Sequence, residues 1–376
     1  MQKNRRAGVF GRSIAAAGAL SLLALATAAP ASADEAPSTV DQDVTQLTQE
    51  VDDLAAIVYG SGLNNADSLF DSPAGPAAAA RGFAASDPAG CTDGALVTYA
   101  RGLEAGLTPT EDQAFNTLSL LVEMYAEGVE TEQTAEPFGT DGQYTARAAA
   151  TITKLRAFWD IDSSDIQLVP WKGTDLADRA KMTKMFAIGF SPVRAAQAAV
   201  LTDKVLDELP VFQNGSNPLL TLNSYAVPAG YLGGRRVVLG DGELETMRML
   251  GVEDVSVEAI VGHEFGHQVN FANGNNPADE SSEMGPDAYA GYFVAHAKGM
   301  GFNATLQQHV GNLNADIGSC NRNHGTPEQR RAAGQWGADQ ATSQADPNEI
   351  VPSGTMIDAF KAEYPVIMGS AALARS

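Results

Sequence analysis

The chain has 376 residues, 44% of them hydrophobic and 7% aromatic, enough to bury the core of one large domain or two small ones. Its 24 basic and 46 acidic residues leave a formal charge of −22, which excludes nucleic acid and anionic membrane surfaces as natural partners.

The opening MQKNRRAGVFGR carries Lys3, Arg5, Arg6 and Arg12, and SIAAAGALSLLALATAAP follows as an apolar run. Ala31-Ser32-Ala33 then has small residues at both ends of an A-x-A site. Basic, apolar and small in that order describe a secretory signal peptide over 1–33, so the mature protein is expected outside the cell. Its apolar run is short and glycine-interrupted for a membrane anchor. Cleavage would remove four of the 24 basic residues and none of the 46 acidic ones, leaving 20 against 46, a balance of −26. No later stretch is apolar and long enough to span a bilayer, so no membrane insertion is expected. In an exported protein the two cysteines, Cys91 and Cys320, are expected to pair.

Next, Val40, Val44, Leu47, Val51, Leu54 and Val58 fall at 4-3-4-3-4 spacing, an a/d stripe on a helix. The run is short for a coiled coil. It is expected to lie against the main domain of a monomer, with a dimer through 40–58 as the alternative. Residues 72–90, rich in Pro, Gly and Ala, read as a linker. Residues 34–90 therefore form an N-terminal helix and linker, which leaves open a propeptide lying over a cleft, and 91–376 form the main domain.

In that domain Thr108-Pro109-Thr110-Glu111 is a capping box opening a helix through FNTLSLLVEMYAEG. Residues 144–158 predict another helix, and IQLVPW (166–171) has the composition of a strand. DIDSSD (160–165) lacks the glycine and distal glutamate of a calcium loop and reads as a solvated turn. Ser191-Pro192 opens a helix, and 218–242 predicts two or more strands. A helix beginning near Asp254 or Ser256 carries Val257, Ile260, Val261, Phe265 and Val269 along one stripe. Helices at about 286–300 and 327–342 follow, the second opening on the capping box Thr326-Pro327-Glu328-Gln329. The expected fold is α+β, mainly helical, with a small twisted sheet.

The helix near Asp254 contains His263-Glu264-Phe265-Gly266-His267, an HExxH. Residues four apart share a helix face, so both imidazoles can reach one ion at about 2.0–2.1 Å. Glu264, rotated by about 100°, stands beside the ion, where a base can take a proton from water. Phe265, Gly266 and Gln268 are uncharged and Val269 is apolar, as a buried helix requires. A hydrolytic zinc site, with one Zn2+ per chain, wants a third protein ligand. Glu283, 16 residues after His267, is the first candidate, with Asp287 as a partner that fixes a histidine tautomer. Asp279, Glu280, Asp287 and His296 compete as ligands. If 283–296 is one helix, His296 points away from Glu283 and is expected at the surface.

HExxH followed by E-x-x-x-D on a second helix resembles the gluzincin arrangement. EMGPDAYAGYF with HGTPEQRRAAGQWG is similar to the neutral zinc metallopeptidases of bacteria, and NSYAVPAGYLGGRRVVLGDG resembles the segment before the metal helix in HtpX-like peptidases. The resemblance covers about 218–340. It implies a zincin-like metallopeptidase domain with zinc on His263, His267 and Glu283 and Glu264 as general base. It also implies a peptide or protein substrate laid along an edge strand at Tyr225, Ala226, Pro228 and Gly230. Three departures stand out. Gly285 and Pro286 interrupt E-x-x-x-D, Ala229 replaces the first glycine of P-G-G, and the membrane helices of HtpX-like enzymes are missing. With Ser282 as N-cap, Pro286 would sit at the edge of what a first helical turn tolerates. For the developing oxyanion the candidates are His324, Tyr289, Tyr292 and Tyr225, His324 first because a disulfide at Cys320 would help place it. His309 is given no role. The expected function is that of a secreted zinc-dependent endopeptidase. Its rivals are a non-catalytic zinc-stabilised binding protein and a zinc hydrolase of a non-peptide amide.

Overall fold

The structure is a computed structural model that describes residues 37–59, 91–230, 232–320 and 324–373. The signal peptide expected over 1–33 and the linker at 72–90 lie outside the described residues. In chain order the elements are α1 (Thr39–Val58), α2 (Ala95–Glu104), α3 (Pro109–Gly128), α4 (Thr145–Phe158), β1 (Gln167–Trp171), α5 (Arg179–Phe186) and α6 (Pro192–Glu208). They continue with β2 (Ser224–Val227), β3 (Arg236–Gly240), α7 (Asp241–Met249), α8 (Glu253–Ala272), α9 (Ser281–Ala295), α10 (Ala304–Asp316), α11 (Pro327–Ser343) and α12 (Ser353–Leu373). The architecture is α+β and mainly helical, and the chain from Ser38 onward is one compact unit.

Local chemistry sets many of these boundaries. Thr108 and Thr326 both form the reciprocal capping boxes implied by their sequences, and the Ser191 side chain caps α6 by accepting from Arg194 N. The 218–242 region holds two strands, but Pro218–Thr221 is a 3-10 turn and Asp241 already opens α7. Gly-Asp-Gly at 240–242 has the composition of a turn, which hides that helix start. Asp241 and Glu243 stand at the positive end of the helix, and the buried Gly242 N–H donates to Thr221 Oγ1 at 3.0 Å. Helix α9 begins at Ser281 rather than near 286, with Glu280 and not Ser282 as its N-cap. Asp279 accepts from the Ser281 backbone N–H at 3.1 Å and holds this start. Pro286 consequently lies inside the helix, not in its first turn.

The sheet has the order β1-β3-β2. Strand β3 runs parallel to β1, with Gln167 opposite Arg236, and antiparallel to β2, with Ser224 opposite Leu239. All five residues of β3 are buried, because α8 packs on the sheet and α3 also meets β3. Gln268 on α8 donates through Nε2 to the carbonyls of Val227 (2.9 Å) and Arg236 (2.8 Å), opposite each other at one end of the β2–β3 pair. This bond fixes the HExxH helix against the sheet edge.

Helix α1 lays its stripe against the main domain. Val44, Leu47, Val51 and Leu54 are all 0–1% exposed, and the helix packs against α3 and α6. Polar ties flank the apolar seam: Thr48 bonds Thr117, Lys204 pairs with Asp43, and Arg194 reaches Glu50 and Asp53. The central residues of the stripe are therefore packed within the chain. Leu47→Ala is expected to cost about 2–5 kcal/mol in denaturant unfolding, with a midpoint independent of protein concentration. A concentration-dependent midpoint would restore the dimer reading.

The disulfide expected from composition is formed between Cys91 and Cys320. Among the described residues no helix is long and apolar enough to cross a membrane. Asp175, buried in the Gly173–Ala177 turn, accepts from Lys181 Nζ of α5 at 2.6 Å. Burial pushes the Asp175 carboxyl up from 3.8 to about 6, against the pull of Lys181 and helped by Glu136 and Glu130. The native state thus holds this proton more tightly than the unfolded chain does. The stability it contributes is complete below about pH 4 and lost as pH rises through about 6. Asp175→Asn is expected to remove this slope, worth about 2–3 kcal/mol, from urea-unfolding free energies measured across that range. An unchanged slope would place the titration elsewhere.

Candidate metal centre

Helices α8 and α9 approach closely because their facing residues are small. A Cβ at Gly266 would lie 2.8 Å from Pro286 Cα, and one at Gly262 would lie 3.3 Å from Ala290 Cβ. Gly266 stands inside the HExxH, so the contact that admits α9 occurs at the motif itself. Pro286 is part of that contact, which gives a packing role to the residue that looks out of place in E-x-x-x-D. Glu283 is thereby brought opposite both histidines.

His263, His267 and Glu283 form a cluster that can hold a metal ion, with one ligand atom from each and all three atoms within 4.8 Å of one another. The Nε2 atoms of His263 and His267 are 3.2 Å apart. Glu283 Oε2 is 3.4 Å from His263 Nε2, and its Oε1 is 3.4 Å from His267 Nε2. Ligands held about 2.0–2.1 Å from one ion at tetrahedral angles lie roughly 3.3–3.4 Å apart, so the triangle has the dimensions of one coordination sphere. Glu283 Oε1 is buried and, among the described residues, has no hydrogen-bond partner, which fits an oxygen that would ligate a cation.

The layer behind the triangle fixes its orientation. His263 Nδ1 lies 2.8 Å from Asp287 Oδ1. That bond keeps a proton on Nδ1 and leaves Nε2 as the nitrogen that faces the cluster, free to ligate once its own proton is lost. Glu283 and Asp287 therefore do share one face of α9, despite Gly285 and Pro286 between them. Asp287 is itself gripped by Arg330 of α11, with Nε to Oδ2 at 2.7 Å and the second guanidinium nitrogen to Oδ1 at 2.9 Å.

Charge follows from this burial. Burial opposes ionisation of Glu283, yet the His267 and His263 imidazoles hold its carboxyl well below the usual range. Burial carries His267 down to about 4, so its ring is neutral and able to ligate at pH 7. For His263 burial works the other way from Asp287, whose charge and hydrogen bond win and raise it to about 10. Metal uptake by the free cluster must therefore displace a proton. Burial raises Glu264 to about 8, opposed by His263 and assisted by Glu283 and Glu243. Its carboxylate makes no hydrogen bond among the described residues. Glu243, in the first turn of α7, is also buried, with Oε2 unpartnered and its carboxyl raised by burial. Four carboxyl groups (Glu243, Glu264, Glu283 and Asp287) thus share a region whose permanent cation, among the described residues, is Arg330, and burial keeps a proton on Glu264 at pH 7. A divalent cation would let these groups ionise by replacing the protons they hold.

The other candidates fall around or away from this centre. His324 is buried close enough to Glu283 to act on its charge, and burial lowers its own pKa. The next residue, Gly325, packs on Met284 and Arg330, and its carbonyl accepts from Ser319 N, beside the disulfide at Cys320. Tyr225 is turned to the other side: its hydroxyl reaches Glu123 O at 3.4 Å and its ring meets Trp171 edge-on. Of the remaining edge-strand candidates, Ala226 is buried, Pro228 half-buried and Gly230 exposed. Tyr289 bonds Asn270, and Tyr292 bonds Gln344 and Val351 N, so both serve packing. His296 is a correction: it is buried at the α9 C-terminus, 3.0 Å from Glu349 O, rather than on the surface. His309 pairs with Asp254 on the outside. Asp279 serves Ser281 and Glu280 accepts from Tyr364, so neither joins the metal triangle. In DIDSSD, Asp160 accepts from Ser353 N at the start of α12 and Asp165 pairs with Arg235, which makes it a structural turn.

Two members of the centre carry no role in the sequence reading. Glu243 is concealed with α7. Arg330 stands in the EQR stretch, at a visible helix start, but its partner is 43 residues away. The chain matches no protein-family model, no curated protein and no solved structure.

Proposed function

We propose that the protein is a secreted zinc-dependent peptidase of gluzincin type. The observation that carries the reading is the His263–His267–Glu283 triangle with the unbonded, buried carboxylate of Glu264 beside it. Two imidazoles and one carboxylate suit zinc and leave a coordination position open, as hydrolytic sites do. A bound zinc would polarise a scissile carbonyl and make water more acidic. Glu264 takes the proton of the attacking water and returns it to the leaving amine. His324, kept neutral by burial, is the group proposed to face the developing oxyanion. Among the described residues strand β2 pairs with β3 alone, and an extended peptide laid along its outer edge is the substrate proposed. Export rests on the basic, apolar and small order of the first 33 residues and is supported by the Cys91–Cys320 disulfide.

A purely structural metal would close its fourth position and have no use for Glu264. Metal analysis after reconstitution is expected to find about one zinc per chain, and a broad peptide library is expected to be cleaved. Zinc without any cleavage would leave a binding protein, and no zinc would remove the centre altogether.

A further inference from the structure

We infer that Arg330 is a positioning residue for the metal centre: its guanidinium locks the Asp287 carboxylate that orients His263, and this lock sets metal affinity. The inference rests on the zinc reading above. The geometry is a planar fork on a carboxylate, with contacts of 2.7 and 2.9 Å to the two oxygens of Asp287. The same side chain lies 3.5 Å from His263 Nδ1 and 3.8 Å from Glu283 Oε2, with only 4% of it exposed. It therefore touches the surroundings of two of the three ligands and ligates nothing itself.

Helix packing does not explain it. Helices α9 and α11 meet backbone to backbone further along, where a Cβ at Gly291 would strike the Gly334 carbonyl and one at Gly337 would strike that of Ala288. Those contacts hold α11 in place without a guanidinium. Charge alone and positioning differ in what they do to the metal, because a fixed positive charge this close to a cation site repels it. A bystander arginine should weaken binding, and its removal should tighten it. A positioning arginine does the opposite. Without the fork, Asp287 is free to rotate, His263 loses its tautomer lock, and Nε2 no longer points steadily at the ion. The two roles differ in sign.

The test is zinc affinity of the full mature chain, read by competition with a chromogenic chelator. Arg330→Met is expected to weaken zinc binding by about 10–100-fold, the range for loss of an outer partner. Arg330→Lys keeps the charge but not the fork, and is expected to remain weakened. Asp287→Asn should weaken binding comparably, and the double variant should be no worse than the weaker single one, since both break one lock. Metal-free melting curves report folding separately, and if Arg330→Met fails to fold, Arg330→Lys decides. Unchanged or tighter binding in the folded variant, or losses that simply add, would overturn the inference. A wild-type chain that takes no zinc overturns the centre itself and the inference with it.

Discussion

Glu264→Gln is expected to keep the metal and lose hydrolysis by about 10²–10⁴-fold, the usual worth of a positioned general base. Glutamine has the same shape, and Glu264 makes no hydrogen bond among the described residues that the amide would break. The proposed ligands His263, His267 and Glu283 are untouched, so zinc content should match wild type. The measurement is kcat/KM on a cleaved library peptide, paired with metal analysis of the same sample. Its pH dependence adds a second reading. Burial places the Glu264 carboxyl near 8 in the metal-free protein. A neighbouring divalent cation pulls it down from there, because it favours the ionised form. Wild-type activity should rise with pH through that lowered value, and any residual activity of the variant should lack this limb. A Glu264→Gln enzyme with normal turnover would take the base away from Glu264. A variant that loses zinc would move Glu264 into the coordination sphere.

What was legible beforehand divides by range of interaction. HExxH and E-x-x-x-D are spacings along single helices, where geometry follows from 3.6 residues per turn. His263, His267, Glu283 and Asp287 could therefore be named from sequence, and the structure brings these four together. The caps at Thr108, Ser191 and Thr326 are local too. The stripe of α1 was legible as a stripe, but whether its partner is another copy or the same chain depends on α3 and α6, which no periodicity names. Arg330 belongs to the same class: its helix is announced by a capping box, while its function depends on Asp287 of another helix. Local signals also mislead where they conflict. Gly240-Asp241-Gly242 spells a turn yet starts α7, and with α7 went Glu243. Pro286 suggests a helix beginning near itself, whereas packing on Gly266 carries it inside one. For His296, helical rotation away from Glu283 is right, but a residue turned from the metal is not thereby turned to water. Its ring is buried and meets the carbonyl of Glu349.

Glu283→Gln tests the third ligand by its effect on stability as well as affinity. A ligand that binds only the folded state stabilises it by about 4 kcal/mol when present at 1,000 times its Kd. Wild type, melted in buffered zinc and again in chelator, should show such a gap. Glu283 supplies one corner of the triangle and the charge that faces the ion, with Oε1 buried and unpartnered in the metal-free chain. The amide keeps the shape and loses the charge. Its loss is expected to weaken zinc by at least the roughly 100-fold that an outer partner can cost, closing about 2.7 kcal/mol of the gap. Taking the difference between loaded and metal-free melts cancels whatever the substitution does to the fold alone. Glu243→Gln is the matched control, because it removes another buried carboxylate of the same region that lies outside the ligand triangle. It should retain the gap. If Glu283→Gln keeps the full gap and Glu243→Gln loses it, the third ligand comes from α7 rather than α9, and the resemblance to the gluzincin arrangement fails at its second helix.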